Sequence, residues 1–198
     1  MIKIAICGKA KSGKSTLGKF IANEFCVNEL YNKDFNYKLA AFADPIKQII
    51  KIMFPQTKKS DLFGFSENRN KIIQNAHFEQ QPLTYRKLLQ YIGTEVGQSL
   101  NKEIWTNIMQ NKLEKADKDK ISLFIITDLR FIHEYNFLKQ NNFFIIKIIR
   151  GDQTGMTHSS ETQQDIMPNN NFDIIINNNG LLSDLKSYAA KIYTKTHY

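Results

Sequence analysis

The sequence predicts an α/β fold of three layers, with a central parallel sheet of about five strands and helices on both faces. Three observations carry this. Apolar, strand-length runs alternate with segments of helical periodicity along the 198 residues. Several of the runs ("ISLFII" at 121–126, "FFIIKIIR" at 143–150) are continuously apolar, as strands buried on both faces are. And "IKIAIC" (2–7) stops at Gly8 and gives way to a glycine-containing loop and an amphipathic run.

The loop reads Gly8-Lys9-Ala10-Lys11-Ser12-Gly13-Lys14-Ser15-Thr16 and matches G-x-x-x-x-G-K-[ST] in full. Such a loop holds a nucleotide's phosphates on backbone N–H groups and on the positive end of the following helix. A helix is expected from its end, with Leu17, Phe20, Ile21 and Phe25 inward. In this pattern Lys14 reaches the β- and γ-phosphates and the Ser15 hydroxyl ligates magnesium. Gly8, Lys11, Ser12, Gly13 and Thr16 complete the candidate donor site.

"YKLAAFA" (37–43) reads as the second strand, and Asp44-Pro45 starts a helix with Asp44 as N-cap. Residues 55–82 are polar, with Pro55, Gly64 and Pro82 and little periodicity; they are expected to form an irregular or partly helical surface insertion. "LTYRKLLQYIGTEVGQSL" (83–100) is expected to be one helix capped by Thr84. On it Arg86, Gln90, Gly93 and Gly97 fall within about 60° at 100° per residue. Glycines in line with Arg and Gln point either to a ligand or to close helix packing. The helix "EIWTNIMQNKLEKA" follows. After 121–126 the strand runs into Thr127-Asp128-Leu129-Arg130, then a helix over about 131–140. A strand over 143–150, a polar stretch to 168, a strand over 172–178 and a helix over 181–193 complete the order.

Ligands of parallel sheets bind at the carboxyl ends of the strands. Those ends carry Gly8–Thr16, Asp44, Asp128 with Arg130, Arg150 and Asn177. The chain has 23 lysines but only four arginines, Arg69, Arg86, Arg130 and Arg150. Arginine's planar fork grips phosphate in a way that lysine does not. Three of the four fall at strand ends or on the glycine stripe, which makes them candidate anion clamps. Asp128 suits an acid that holds a metal near a phosphoryl group.

The net charge of +8 suits any polyanion, but scattered lysines do not make a nucleic-acid patch, and nucleic acid is not an expected partner. No N-K-x-D follows a later strand, which argues against a GTPase. No apolar run approaches a membrane span, so a cytoplasmic protein is expected. Cys7 and Cys26 form no C-x-x-C, and each reads as a reduced thiol. What remains is transfer of phosphate to a small acceptor, with 150–168 as a lid-like, water-excluding segment.

The segments "GKAKSGKST", "ADPIK", "RKLLQYIGTEVG", "TDLRFIHE", "IIKIIRGDQ", "HSSE" and "FDIIINNNGLLSDL" come in an order that resembles phage-type deoxynucleoside monophosphate kinases, in the P-loop kinase superfamily. The resemblance covers most of the chain and implies one kinase domain over 1–198. It implies ATP and magnesium, and a dNMP acceptor phosphorylated to dNDP, in the host cytoplasm if the source is viral. A homodimer is left open. Carried over, Lys14, Asp128, Arg130 and Arg150 are the catalytic set, and Ser15 and Asp128 face the metal. Arg150 joins the loop on the ATP side as the lid-side cation, and Asn177 and Asn178 lie where a loop holding the adenine base would be. Asp44, Lys47, Arg86, Gln90, Gly93, Arg130, His158 and Glu161 lie toward the acceptor. Phosphomevalonate kinases resemble the pattern too and are the alternative; a nucleic-acid-binding ATPase is the remoter one.

Overall fold

The computed structural model describes residues 1–63, 66–151, 163–164 and 166–197. Its backbone clusters into two compact units, Met1–Phe42 with Thr106–Tyr198, and Ala43–Trp105, where the sequence reading expects one domain.

The larger unit holds the sheet. Its elements are β1 (Ile2–Cys7), α1 (Lys14–Asn28), β2 (Tyr37–Ala40), β5 (Leu123–Leu129), α7 (Ile132–Gln140), β6 (Phe144–Ile149), β7 (Ile174–Asn177) and α8 (Leu182–His197). The helix α6 (Ile104–Lys118) leads into β5. The five strands lie in the order β2-β5-β1-β6-β7, and every pairing is parallel. β1 is central, and its register puts Cys7 opposite Leu129 across a bulge. Ile4 and Ile6 of β1 form one core with Leu17, Ile21 and Phe25 of α1 and Leu185, Ala189 and Ile192 of α8. The alternate residues Ala5 and Cys7 are equally inaccessible, so both faces of the strand are covered. On that second side Phe124 meets Phe143 edge-on with centroids 6.5 Å apart. Each such apolar side chain withdrawn from water is worth about 1.5–3 kcal/mol.

The smaller unit contains α2 (Asp44–Met53), α3 (Lys59–Phe63), a 3₁₀ turn (Ser66–Asn70), β3 (Ile72–Phe78), β4 (Gln81–Thr84), α4 (Tyr85–Gln90), a π-helical stretch (Tyr91–Val96) and α5 (Gly97–Leu100). Three expectations are corrected here. The expected insertion over 55–82 contains an antiparallel hairpin, β3 with β4. Its turn places Glu79 (φ 49°) and Gln80 (φ 62°) in the left-handed region, a primed hairpin turn without its usual Gly or Asn. The expected single helix over 83–100 starts at Tyr85, with Thr84 capping through its side chain (Lys87 N–H to Oγ1, 3.2 Å), and widens into the π-helical stretch. A projection at 100° per residue does not hold through that stretch. Finally, α2 starts at Asp44 with Ala43 as N-cap, one residue earlier than expected, and Asp44 pairs with Lys47 Nζ at 3.2 Å.

No helix among the described residues is long and apolar enough to cross a membrane.

Candidate active site

The phosphate loop joins β1 to α1. Three of its residues, Gly8 (φ 154°), Lys11 (φ 63°) and Gly13 (φ 105°), have positive φ, which costs a lysine energy and a glycine little. Gly13 is the N-cap of α1, so no side chain caps that helix, and no acidic residue sits in its first turn. By contrast α2, α7 and α8 carry Asp44, Glu134 and Asp184 there. A helix start left without its own anion is suited to binding one. The Ser12 hydroxyl is fully buried and has no hydrogen-bond partner among the described residues. Lys14, nearly buried, folds back so that Nζ donates to the carbonyls of Gly8 and of Lys9, the latter at 2.6 Å. Ser15, exposed, and Thr16 follow in the first turn of α1.

Asp128 lies within β5, one residue before the position opposite Cys7. Its Oδ1 accepts the backbone N–H of Phe42 at 2.8 Å, which ties β5 to the chain leaving β2. Arg130 follows the strand. Behind this pair is a residue that the sequence reading left without a role, Glu134. It is 3 % exposed, and its Oε2 accepts the N–H of Arg130 (2.9 Å) and of Phe131 (3.0 Å). Burial, reinforced by the nearby negative Asp128, pushes its carboxyl up to about 8 despite those hydrogen bonds. A Glu three residues past a helix N-cap is the sequence signal that points to it. Cys7, at the end of β1, is pushed up to about 12 by burial, against the opposing pull of Lys14, so its thiol is neutral.

On the other side of the loop is a partly open cavity of about 130 Å³. Gly13, Thr16, Arg150, Asn178, Gly180 and Leu182 are among the residues that line it. Asn178 Nδ2 donates to the Ser12 carbonyl at 2.8 Å. Asn177 closes β7 and is exposed. The larger unit thus brings Gly8–Thr16, Asp128, Arg130, Arg150, Asn177 and Asn178 to the carboxyl ends of β1, β5, β6 and β7.

Asp44, Lys47, Arg86, Gln90 and Gly93 belong to the smaller unit. There Arg86 Nε donates to Asn70 Oδ1 at 2.7 Å, a partner that no spacing in the sequence announces. The two glycines of the stripe are approached by protein. A Cβ on Gly93 would stand 3.0 Å from Ile46 Cδ1, and one on Gly97 would stand 2.4 Å from Trp105 Cζ2. Trp105 Nε1 donates to the Gly93 carbonyl at 2.7 Å. Of the two readings of the stripe, packing is the one seen at both glycines. His158 and Glu161, and most of the expected lid over 150–168, lie outside the described residues.

Comparison with known proteins places these features in a family. Residues 51–189 match the family of deoxynucleotide monophosphate kinases. A provisionally named deoxynucleotide monophosphate kinase of Acanthamoeba polyphaga mimivirus is 27 % identical over 199 aligned positions, covering 94 % of this chain and 93 % of that protein. The deoxynucleoside-5'-monophosphate kinase of Escherichia phage T5 is 40 % identical over 58 residues, which span 29 % of this chain and 22 % of that one. Among solved structures, dephospho-CoA kinase from Campylobacter jejuni aligns over 98 % of this chain and 96 % of its own, at 17 % identity and a TM-score of 0.44. With a family match over more than half its length, joined to a complete phosphate loop in a five-stranded parallel sheet, the chain belongs to the deoxynucleotide monophosphate kinase family.

Proposed function

We propose that this protein transfers the γ-phosphate of ATP to a deoxynucleoside monophosphate, giving dNDP and ADP. One observation carries the reading: a phosphate loop and an Asp-x-Arg strand end lie on adjacent strands of a chain in this family. The loop's N–H groups and the uncapped start of α1 hold the donor phosphates, and the orphaned Ser12 hydroxyl donates to one of them. Lys14 exchanges its carbonyl partners for phosphate oxygens as the donor binds. Arg130 and Arg150 neutralise charge on the moving group, which is most of what phosphoryl transfer asks of a protein.

Magnesium fits the residues present. The Ser15 hydroxyl and the Asp128 carboxylate are hard oxygen donors of the kind it takes, beside phosphate oxygens and water. Bound there, it would screen the β- and γ-phosphates. Asp128 is held for this by its hydrogen bond from Phe42. Asn177 and Asn178 serve the donor side. Asp44, Lys47, Arg86 and Gln90 serve the acceptor, with Arg86 as clamp on its phosphate, while Gly93 packs against Ile46. The proposed setting is the cytoplasm of a host cell.

The test is ADP release with each of the four common dNMPs, the ribonucleotides and phosphomevalonate as acceptors. Turnover with at least one dNMP is expected. Turnover with phosphomevalonate alone would select the alternative acceptor class.

A further inference from the structure

The turn after β7 is tied to the phosphate loop by a side chain. Asn178 is 166 residues from Ser12 in sequence, yet its Nδ2 donates to the Ser12 carbonyl at 2.8 Å. Its own backbone N–H donates to the Ile149 carbonyl at 2.7 Å, which fixes where the side chain starts. The amide fills the space in which a Cβ on Gly13 would fall, 2.6 Å away. The next residue acts on the neighbouring segment: Asn179 Oδ1 accepts the N–H of Gly151 at 2.6 Å. Two consecutive asparagines therefore grip the phosphate loop and the chain leaving β6, the two backbones that flank the cavity.

We propose that Asn178 is a positioning residue for the phosphate loop, acting on the donor's triphosphate through the Ser12 carbonyl and not only on its base. The chemistry selects asparagine. The partner is a carbonyl oxygen, so the side chain must donate, which aspartate does not do. A serine is too short to reach from a backbone anchored on Ile149. With the Ser12 carbonyl held, the peptide between Ser12 and Gly13 is fixed, and so is the direction of the Gly13 N–H that this peptide carries. This inference rests on the reading that the loop holds a triphosphate donor.

A ligand without a base separates the two roles. Inorganic tripolyphosphate is used as a competitive inhibitor against ATP, in the wild type and in Asn178→Ala and Asn178→Asp. Loss of one hydrogen bond at the loop is expected to raise the tripolyphosphate inhibition constant and the ATP KM together, by about 3- to 10-fold. The dNMP KM should stay put, and kcat at saturating ATP should fall by less than the KM rises. Asn178→Asp, isosteric but unable to donate, should behave like the alanine variant or worse, which covers the case in which alanine impairs folding. A raised ATP KM with tripolyphosphate binding unchanged would overturn the proposal in favour of a base contact. Both constants unchanged would overturn it outright. Tripolyphosphate that fails to compete with ATP in the wild type would instead refute the phosphate-loop reading beneath it.

Discussion

One oxygen of Glu134 accepts the backbone N–H of Arg130 at 2.9 Å and that of Phe131 at 3.0 Å, so a buried carboxyl braces the turn that carries the Asp128/Arg130 pair. Its carboxyl stands raised from an ordinary 4.5 to about 8, because burial and Asp128 disfavour the anion more than the two N–H groups favour it. The folded state therefore holds a proton that the unfolded chain gives up. The resulting stability is present below about 4.5 and is lost as pH rises through about 8.

Glu134→Gln keeps an oxygen acceptor and removes the ionisation. Melting temperature should fall between pH ~6 and pH ~9 more in the wild type than in this variant. Equal slopes in the two proteins would show that Glu134 does not titrate in that window.

Lys14→Ala and Asp128→Ala should each lower kcat by roughly 100-fold or more, the scale on which a single electrostatic stabiliser acts. Lys14 sits at the start of α1, with its head on two loop carbonyls, so the substitution leaves the sheet intact. Asp128→Ala also strips the Phe42 N–H of its partner, so circular dichroism must accompany its kinetics.

Arg86→Lys should raise the dNMP KM more than the ATP KM. Arg86 Nε donates to Asn70, and a guanidinium carries its N–H donors in one rigid plane; a lysine ammonium on a flexible stem does not reproduce that geometry. If neither KM moves, Arg86 serves the fold of the smaller unit alone.

Gly97→Ala should destabilise the smaller unit. Its Cβ would fall 2.4 Å from the Trp105 ring and 2.9 Å from the Ile92 carbonyl, and a backbone oxygen cannot rotate away. Overpacking of this kind costs about 1–3 kcal/mol. Trp105 is the single tryptophan, is 4 % exposed and is bonded to Gly93, so its fluorescence follows the event directly. The denaturation midpoint read from that fluorescence should drop in the variant.

Physical periodicity explains what was legible in the sequence. The strand–loop–helix order around Gly8–Thr16 and the buried run ending in Asp128 could be read because apolar runs and glycine punctuation are local signals. The hairpin at 72–84 was hidden, since Glu79-Gln80 turns the chain without Gly or Asn and Asn75 (φ 58°) breaks the alternation of β3. The Arg86 stripe was misprojected because Tyr91–Val96 is wound more widely than an α-helix. The Asn178–Ser12 hydrogen bond leaves no trace in spacing, because sheet order alone brings those residues together.

The central claim is that phosphate passes from ATP to a deoxynucleoside monophosphate. Incubation with ATP labelled in its γ-phosphate, followed by separation of the products, tests it most directly. The account predicts that the label appears in the β-phosphate of a dNDP, in an amount equal to the ADP formed. Label recovered only as inorganic phosphate, with every dNMP unchanged, would contradict it.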